Sequence, residues 1–154
     1  FIENAIGLPL NEYIQSNHFD YNASLRLAVC LGIHMATLKT IGKGIFFFNL
    51  SDITVIDNNW YILSNAERVL SIIDNNHLLL SSIISFDGFL PPELTNITSL
   101  PFKTNISCAY YSAALLIIHI LQIENVDKLA HSPLYFFLQR CLIENPEKRH
   151  FLFL

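Results

Sequence analysis

Apolar and polar residues follow each other along this chain in a pattern that predicts several helices and one short region of strands. From Asn22 to Lys39 the apolar residues recur at intervals of three and four, which places them on one face of a helix. Asn22 can cap the start of that helix, and Gly42 and Gly44 follow its end. A shorter helix is expected at residues 8–14, ahead of the long one.

Residues 45–63 have the pattern of a β-hairpin. Apolar and β-branched residues fill two runs, 53–56 and 60–63, and an Asp-Asn-Asn triplet at 57–59 separates them. Asp and Asn tolerate the left-handed backbone conformations that tight turns require. We therefore predict a small β-hairpin that extends over about residues 45–63.

The most hydrophobic stretch begins at Cys108 and predicts a buried central helix at residues 108–123. It is apolar on every face, which is typical of a helix enclosed by protein. A membrane-spanning helix needs about 20 apolar residues, and this run is shorter, so we expect no membrane span. Ser132 followed by Pro133 predicts the start of another helix. The chain is thus expected to be mainly α and to form one domain over residues 1–154.

Composition narrows the classes of function. Charged residues make up 14% of the chain, against about 25% in ordinary soluble domains. This favours either a well-packed helical domain or a surface partly covered by protein partners. The net charge of −4 and the lack of a basic run argue against nucleic-acid binding. The three cysteines, at positions 30, 108 and 141, have neither metal-binding nor redox spacing, which is typical of free thiols in a reducing compartment.

Two motifs lie far apart in the chain. One is Pro-Pro-Glu at residues 91–93, and the other is Arg-Cys-Leu-Ile-Glu-Asn-Pro-Glu-Lys-Arg at residues 140–149. Together they resemble the Ala-Pro-Glu motif and the closing Cys-Leu-x-x-(Asp/Asn)-Pro-x-x-Arg motif of the protein kinase C-terminal lobe. The resemblance implies a kinase-like C-terminal lobe over essentially the whole chain, with Glu93 and Arg149 forming a buried structural ion pair.

A narrower likeness comes from four further segments. Residues 47–53, 100–103, 110–112 and 135–142 resemble the corresponding parts of serine/threonine protein kinases of large DNA viruses. The Gly-rich loop and the lysine of a kinase N-terminal lobe have no counterpart in this sequence. We therefore expect that the N-terminal lobe is absent from this chain.

The resemblance also implies a degenerate catalytic site. Asn49 stands where the family has its catalytic Asp, and an amide cannot accept the hydroxyl proton as a carboxylate does. Asp52 falls near the metal-binding Asn of the family, in a shortened loop. Ser64 and Asn65 replace the start of the Asp-Phe-Gly motif and lack the charge that holds magnesium. Ala109 is expected at the position of the Asp that clamps the catalytic loop in active kinases.

These losses predict a catalytically inactive kinase-like domain, a pseudokinase, without cofactor or metal, and they argue against ATP binding. The predicted role is to bind proteins or to serve as a structural component, within a large viral particle or assembly. The expected location is a reducing intracellular compartment, such as the host cytoplasm, or the virion.

Two alternatives remain open at this stage. The first is a divergent active serine/threonine kinase whose N-terminal lobe lies upstream of Phe1. It requires Asp52 or Asp57 to bind a metal ion, whereas such residues more often stabilise turns. The second alternative is a soluble pseudokinase that regulates a true kinase.

Overall fold

The computed structural model describes residues 7–82 and 87–151. This part of the chain forms five α-helices and seven short β-strands. The helices are α1 (Leu10–Ser16), α2 (Tyr21–Thr40), α3 (Pro92–Thr95), α4 (Cys108–Leu121) and α5 (Pro133–Cys141). The strands are β1 (Gly7–Pro9), β2 (Lys43–Ile45), β3 (Ile53–Ile56), β4 (Trp60–Leu63), β5 (Val69–Ile73), β6 (His77–Leu80) and β7 (Phe102–Asn105).

Helix α2 forms where the three- and four-residue spacing predicts it. Leu27, Leu31 and Met35 are buried along one face, which is why this stretch of chain is a helix. The cap is Asp20 rather than Asn22, because the Asp20 side chain accepts a hydrogen bond of 2.7 Å from the Ala23 amide. The helix therefore begins slightly earlier than the sequence pattern suggested.

Helix α4 is the buried central helix that the hydrophobic run predicts. Its ends, Cys108 and Leu121, agree with the expected range of residues 108–123. Gln122 follows in the left-handed conformation with φ of 52° and ends the helix. Helix α5 starts as expected, since the Ser132 hydroxyl accepts a hydrogen bond from the Tyr135 amide and Pro133 occupies the first turn.

The β structure is more extensive than one hairpin. Strands β1, β3 and β4 form a three-stranded antiparallel sheet, and β2, β5, β6 and β7 form a four-stranded antiparallel sheet. The predicted hairpin at residues 45–63 is therefore wrong in extent: the hairpin covers β3 and β4, whereas Ile45 belongs to β2 of the other sheet. The prediction of a mainly α domain describes the larger part of the core, but the domain contains more strands than predicted.

Both hairpins turn through the same four-residue sequence. Ile-Asp-Asn-Asn occurs at residues 56–59, between β3 and β4, and again at residues 73–76, between β5 and β6. The Asp and the first Asn have positive φ in each case, between 46° and 67°. Two consecutive left-handed residues produce the turn whose twist matches that of antiparallel strands. The repeated tetrapeptide was a signal for the second hairpin, and only its first copy was interpreted as a turn.

Two hydrophobic clusters stabilise these elements. The larger contains α1, α2, α4 and α5 with the inner face of the three-stranded sheet. The smaller contains Phe46, Phe47, Leu94 and residues of β6. The segment that follows β2 lies between the two clusters, and it leads directly into the loop at Asn49 and Asp52. In the ranges described, no helix is both long and apolar enough to cross a membrane.

Candidate functional site

The site begins with the buried segment that precedes the loop. Phe46, Phe47 and Phe48 are all fully buried, which fixes the path of the backbone as it reaches Asn49. The Phe48 amide donates a hydrogen bond of 2.7 Å to the Ser112 hydroxyl of α4, and its carbonyl accepts one of 3.0 Å from the Phe89 amide. A side chain of the central helix therefore holds the backbone of the segment that leads into the loop.

The residue of α4 that holds the loop is Ser112, which corrects the expectation placed on Ala109. Ala109 lies one turn earlier and is buried in the larger hydrophobic cluster. A serine hydroxyl can accept the amide hydrogen bond without carrying the charge of the Asp that active kinases use. Ser112 is fully buried, so its hydrogen bond to the Phe48 amide is enclosed by protein.

Asp52 is the most enclosed acidic residue of the site, with 1% of its side chain exposed. Its Oδ2 accepts hydrogen bonds from the Asn49 amide at 2.7 Å and from Arg68 Nε at 3.0 Å. Its Oδ1 accepts one of 2.7 Å from Asn65 Nδ2. The carboxylate is therefore surrounded by donors from the loop, from the end of the hairpin and from the turn beyond it.

Arg68 is the cation of this site, and sequence reasoning did not find it. Its guanidinium carbon lies 4.2 Å from the centroid of the Phe47 ring, a distance typical of a cation–π contact. The residue is buried, and arginine is seldom fully buried without a partner. A signal was present, since Arg68 is the only Lys or Arg between Lys43 and Lys103. An isolated cation in so long a stretch without any other basic residue indicates a specific role.

The other residues that the sequence analysis singled out also have hydrogen-bond partners. The Asn49 side chain donates to the Asp87 carbonyl at 2.8 Å. The Ser64 amide and hydroxyl both donate to the Asp52 carbonyl, at 2.8 and 3.2 Å. Asn65 Oδ1 accepts from the Glu67 amide at 3.0 Å and so caps the short turn that carries Arg68. Asp57 lies in the β3–β4 turn rather than with these residues.

These residues do not fit the magnesium that a kinase-like fold implies. Magnesium takes oxygen ligands in an octahedral arrangement, usually with carboxylates and phosphates. Both oxygens of Asp52 already accept hydrogen bonds, and Asn65 directs its NH₂ group toward the carboxylate. Over residues 7–82 and 87–151, no three His, Cys, Asp or Glu side chains are grouped so that they could hold a metal ion.

Glu93 and Arg149 lie in contact, as a two-point ion pair between α3 and the end of the chain. Arg149 Nη1 is 2.5 Å from Glu93 Oε1, and Nη2 is 2.9 Å from Oε2. Arg149 also donates to the carbonyls of Ile143 and Glu144, at 2.6 and 2.8 Å. The Arg149 side chain has no exposed surface, while 16% of Glu93 remains exposed. The pair joins α3 to the segment after α5.

The two cysteines nearest to this ion pair are buried thiols. Burial raises the pKa of Cys108 to about 12, and the Glu93 carboxylate adds to that shift. Burial likewise raises the pKa of Cys141 to about 12. A thiol with so high a pKa stays protonated at neutral pH and is a poor nucleophile. These cysteines are therefore packing residues of the hydrophobic clusters.

The surface carries an apolar patch where α2 meets the β3–β4 hairpin. We define the Trp60 patch as Ile33, Ile56, Trp60 and Ile62, which line a groove of 320 Å³ between α2 and the β3–β4 hairpin. Trp60 and Ile33 are 59% and 58% exposed, although both are large and apolar. Exposed aromatic and aliphatic side chains that adjoin each other are characteristic of surfaces that contact another protein.

Known structures provide the comparison for this architecture. The structure of a rhoptry kinase from Toxoplasma gondii is similar to this chain, with a TM-score of 0.61 and 20% sequence identity. The match covers 91% of this chain and 47% of the rhoptry kinase, so the chain spans about half the length of that protein. No protein-family model matches the chain, and no curated protein matches it. The chain therefore has a protein-kinase-like fold.

Proposed function

We propose that this chain is a kinase-like domain that does not transfer phosphate and acts by binding other proteins, as a structural component of a large viral particle or assembly. The observation that best supports the absence of phosphate transfer is the hydrogen bonding of Asp52. Its two carboxylate oxygens accept three hydrogen bonds from Asn49, Asn65 and Arg68. Phosphoryl transfer depends on metal ions that neutralise the phosphates, and these three hydrogen bonds already occupy most of the acceptor sites of this carboxylate.

The loss of a catalytic carboxylate at Asn49 supports the same proposal. An active kinase needs a carboxylate to orient the attacking hydroxyl. Asn49 offers an amide, and that amide is engaged with the Asp87 carbonyl. The backbone frame around it is retained, since Ser112 still holds Phe48. A retained frame with its charged chemistry replaced is what we expect of a domain selected for binding.

The protein-binding part rests on the surface. Only 14% of the residues are charged, and the Trp60 patch exposes large apolar side chains next to each other. Burying Trp60 against a partner removes apolar area from water and stabilises a complex by about 25 cal/mol per Å². The viral assignment comes from the likeness of residues 47–53, 100–103, 110–112 and 135–142 to kinases of large DNA viruses, and it is part of the proposal.

The inactive part is tested with the native protein and labelled ATP. We expect no transfer of label to protein substrates and an unchanged melting temperature with saturating Mg-ATP, because a ligand that binds the folded state raises that temperature. Label transfer would instead favour the alternative of a divergent active kinase with an upstream N-terminal lobe. That alternative draws on the finding that this chain spans only 47% of the rhoptry kinase.

The binding part is tested with Trp60→Asp in the native assembly. We expect the parent chain to be present in fixed stoichiometry with other proteins of purified particles, and the variant to be lost from them. Leu79→Asp is the matched control, since Leu79 is also apolar and exposed but lies on β6. Retention of the Trp60 variant would reject the patch as the binding surface. Recovery of a discrete complex with an active kinase would favour the pseudokinase regulator.

A further inference from the structure

The pair formed by Asp52 and Arg68 has a feature that the inactive site does not explain by itself. Inactivity requires only that metal binding be lost, and replacing Asp52 by an apolar residue would achieve that. Instead a carboxylate lies near the place where the family has an Asn; its side chain is 1% exposed, and it accepts a hydrogen bond from Arg68. A buried carboxylate without a cation is strongly unfavourable, so the guanidinium is needed wherever the carboxylate is kept.

The turn between Asn65 and Arg68 positions that guanidinium. Asn65 Oδ1 accepts from the Glu67 amide and so caps the turn, while Asn65 Nδ2 donates to Asp52 Oδ1. Arg68 at the end of this turn donates through Nε to Asp52 Oδ2, and its guanidinium carbon lies over the Phe47 ring. The Asn65 side chain therefore both caps the turn that carries Arg68 and donates to the carboxylate that Arg68 binds.

At this site one positive side chain, Arg68, balances one negative side chain, Asp52. The loop before β3 and the segment after β4 meet at Asp52, and a positive charge between them neutralises it. In the kinases that this fold resembles, a divalent cation is bound at these two segments. Here the charge is covalently part of the chain, which makes it permanent and independent of metal or nucleotide concentration.

We infer that the Arg68 guanidinium is the built-in cation of this site, in the place where a kinase-like fold would carry a divalent metal ion. It joins the loop at Asn49 to the turn after β4 without any ligand. The inference rests on the proposal that the chain does not transfer phosphate. It adds that Arg68 holds the loop and the turn together whether or not metal or nucleotide is present. The site is then a structural element of the domain.

The experiment compares the parent with Arg68→Met, Asp52→Asn and the double variant, using MnCl₂ alone as the probe. Mn²⁺ should leave the melting temperature of the parent unchanged. Arg68→Met should melt several degrees lower, because the buried carboxylate has lost its cation, and Mn²⁺ should restore part of that loss. The double variant should melt above Arg68→Met and should not respond to Mn²⁺. Arg140→Met, which removes an arginine on α5, is the control for loss of positive charge.

Three results would overturn the inference. They are a parent whose melting temperature rises with Mn²⁺, an Arg68→Met variant that ignores Mn²⁺, and a double variant that loses the sum of the two single effects. If Arg68→Met does not fold, Mn²⁺-induced broadening of the Asn49 and Asn65 amide NMR signals decides the question in the parent protein. Broadening would show that the site admits a metal ion, and sharp signals are expected. Label transfer from ATP reports on the proposed function separately, because none of these measurements uses nucleotide.

Discussion

Replacing Glu93 with alanine should destabilise the fold strongly, because Arg149 would be left as a buried charge. The Arg149 side chain has no exposed surface, and its two terminal nitrogens contact the two carboxylate oxygens at 2.5 and 2.9 Å. Its carbonyl partners at Ile143 and Glu144 remain in the variant, but they carry only partial charges. Removing one partner of a buried pair costs about 3–5 kcal/mol.

The size of the expected effect sets the assay. In a chain of 154 residues, each kcal/mol shifts the melting temperature by about 2–4 °C, so Glu93→Ala should melt about 6–20 °C lower. Thermal melting followed by circular dichroism measures this shift, and urea denaturation gives the free energy directly. Glu93→Gln should lower the melting temperature less than Glu93→Ala does, because the amide keeps one oxygen as an acceptor. Arg149→Ala should also destabilise, since the carbonyls of Ile143 and Glu144 would lose their donor.

An exposed ion pair provides the matched control. Lys128 and Glu124 are 3.4 Å apart and both lie largely in solvent. Lys128→Ala should melt within about a degree of the parent, because exposed pairs contribute little. If Glu93→Ala melts as close to the parent as that control, burial of the pair does not stabilise the fold, and the reasoning from the two motifs fails with it.

Three further predictions follow from buried groups and close packing. Ser112→Ala should cost about 1–3 kcal/mol, because the Phe48 amide loses its acceptor; a urea-derived loss below about 0.5 kcal/mol would contradict the clamp. Because burial raises the pKa of Cys108 and Cys141 to about 12, the unfolded thiols ionise first as pH rises. The free energy of unfolding should therefore fall above pH 9. The expected loss at about pH 10 is about 1.4 kcal/mol per thiol, for an unfolded pKa of about 9. A variant with alanine at both positions should show a smaller loss over the same pH range. Gly88→Ala should lower the melting temperature, because a Cβ there would lie 2.7 Å from the Phe48 carbonyl oxygen; an unchanged value would mean that this backbone moves freely.

The long helices could be predicted because their signals are local. The periodic apolar face of α2, the continuous apolar run of α4, and the Ser132–Pro133 start of α5 all act within a few residues of the chain. Where the local signal had two candidates, the prediction was less exact. Asn22 and Asp20 are both good caps, and Asp20 is the one whose side chain meets a free amide at the first turn.

The strands were harder to predict because their partners are distant. Ile45 belongs to β2, whose partner β5 begins at Val69, so the four-stranded sheet depends on contacts across many residues. A strand pattern of three to five residues does not say which other strand it will pair with. The repeated Ile-Asp-Asn-Asn turns were visible in the sequence, but pairing β5 with β6 and β6 with β7 was decided by the fold.

By itself, the sequence determined the helices, the turns and the kinase-like order of the motifs, because those depend on neighbours along the chain and on residue type. Only the tertiary structure decided which group neutralises Asp52 and which group holds the backbone at Phe48. Arg68 lies sixteen positions beyond Asp52 and meets it only because the hairpin returns the chain to the loop. Ser112 holds Phe48 from a helix sixty-four positions away. A buried charge or amide needs a partner, but which residue provides it depends on how distant segments meet in space.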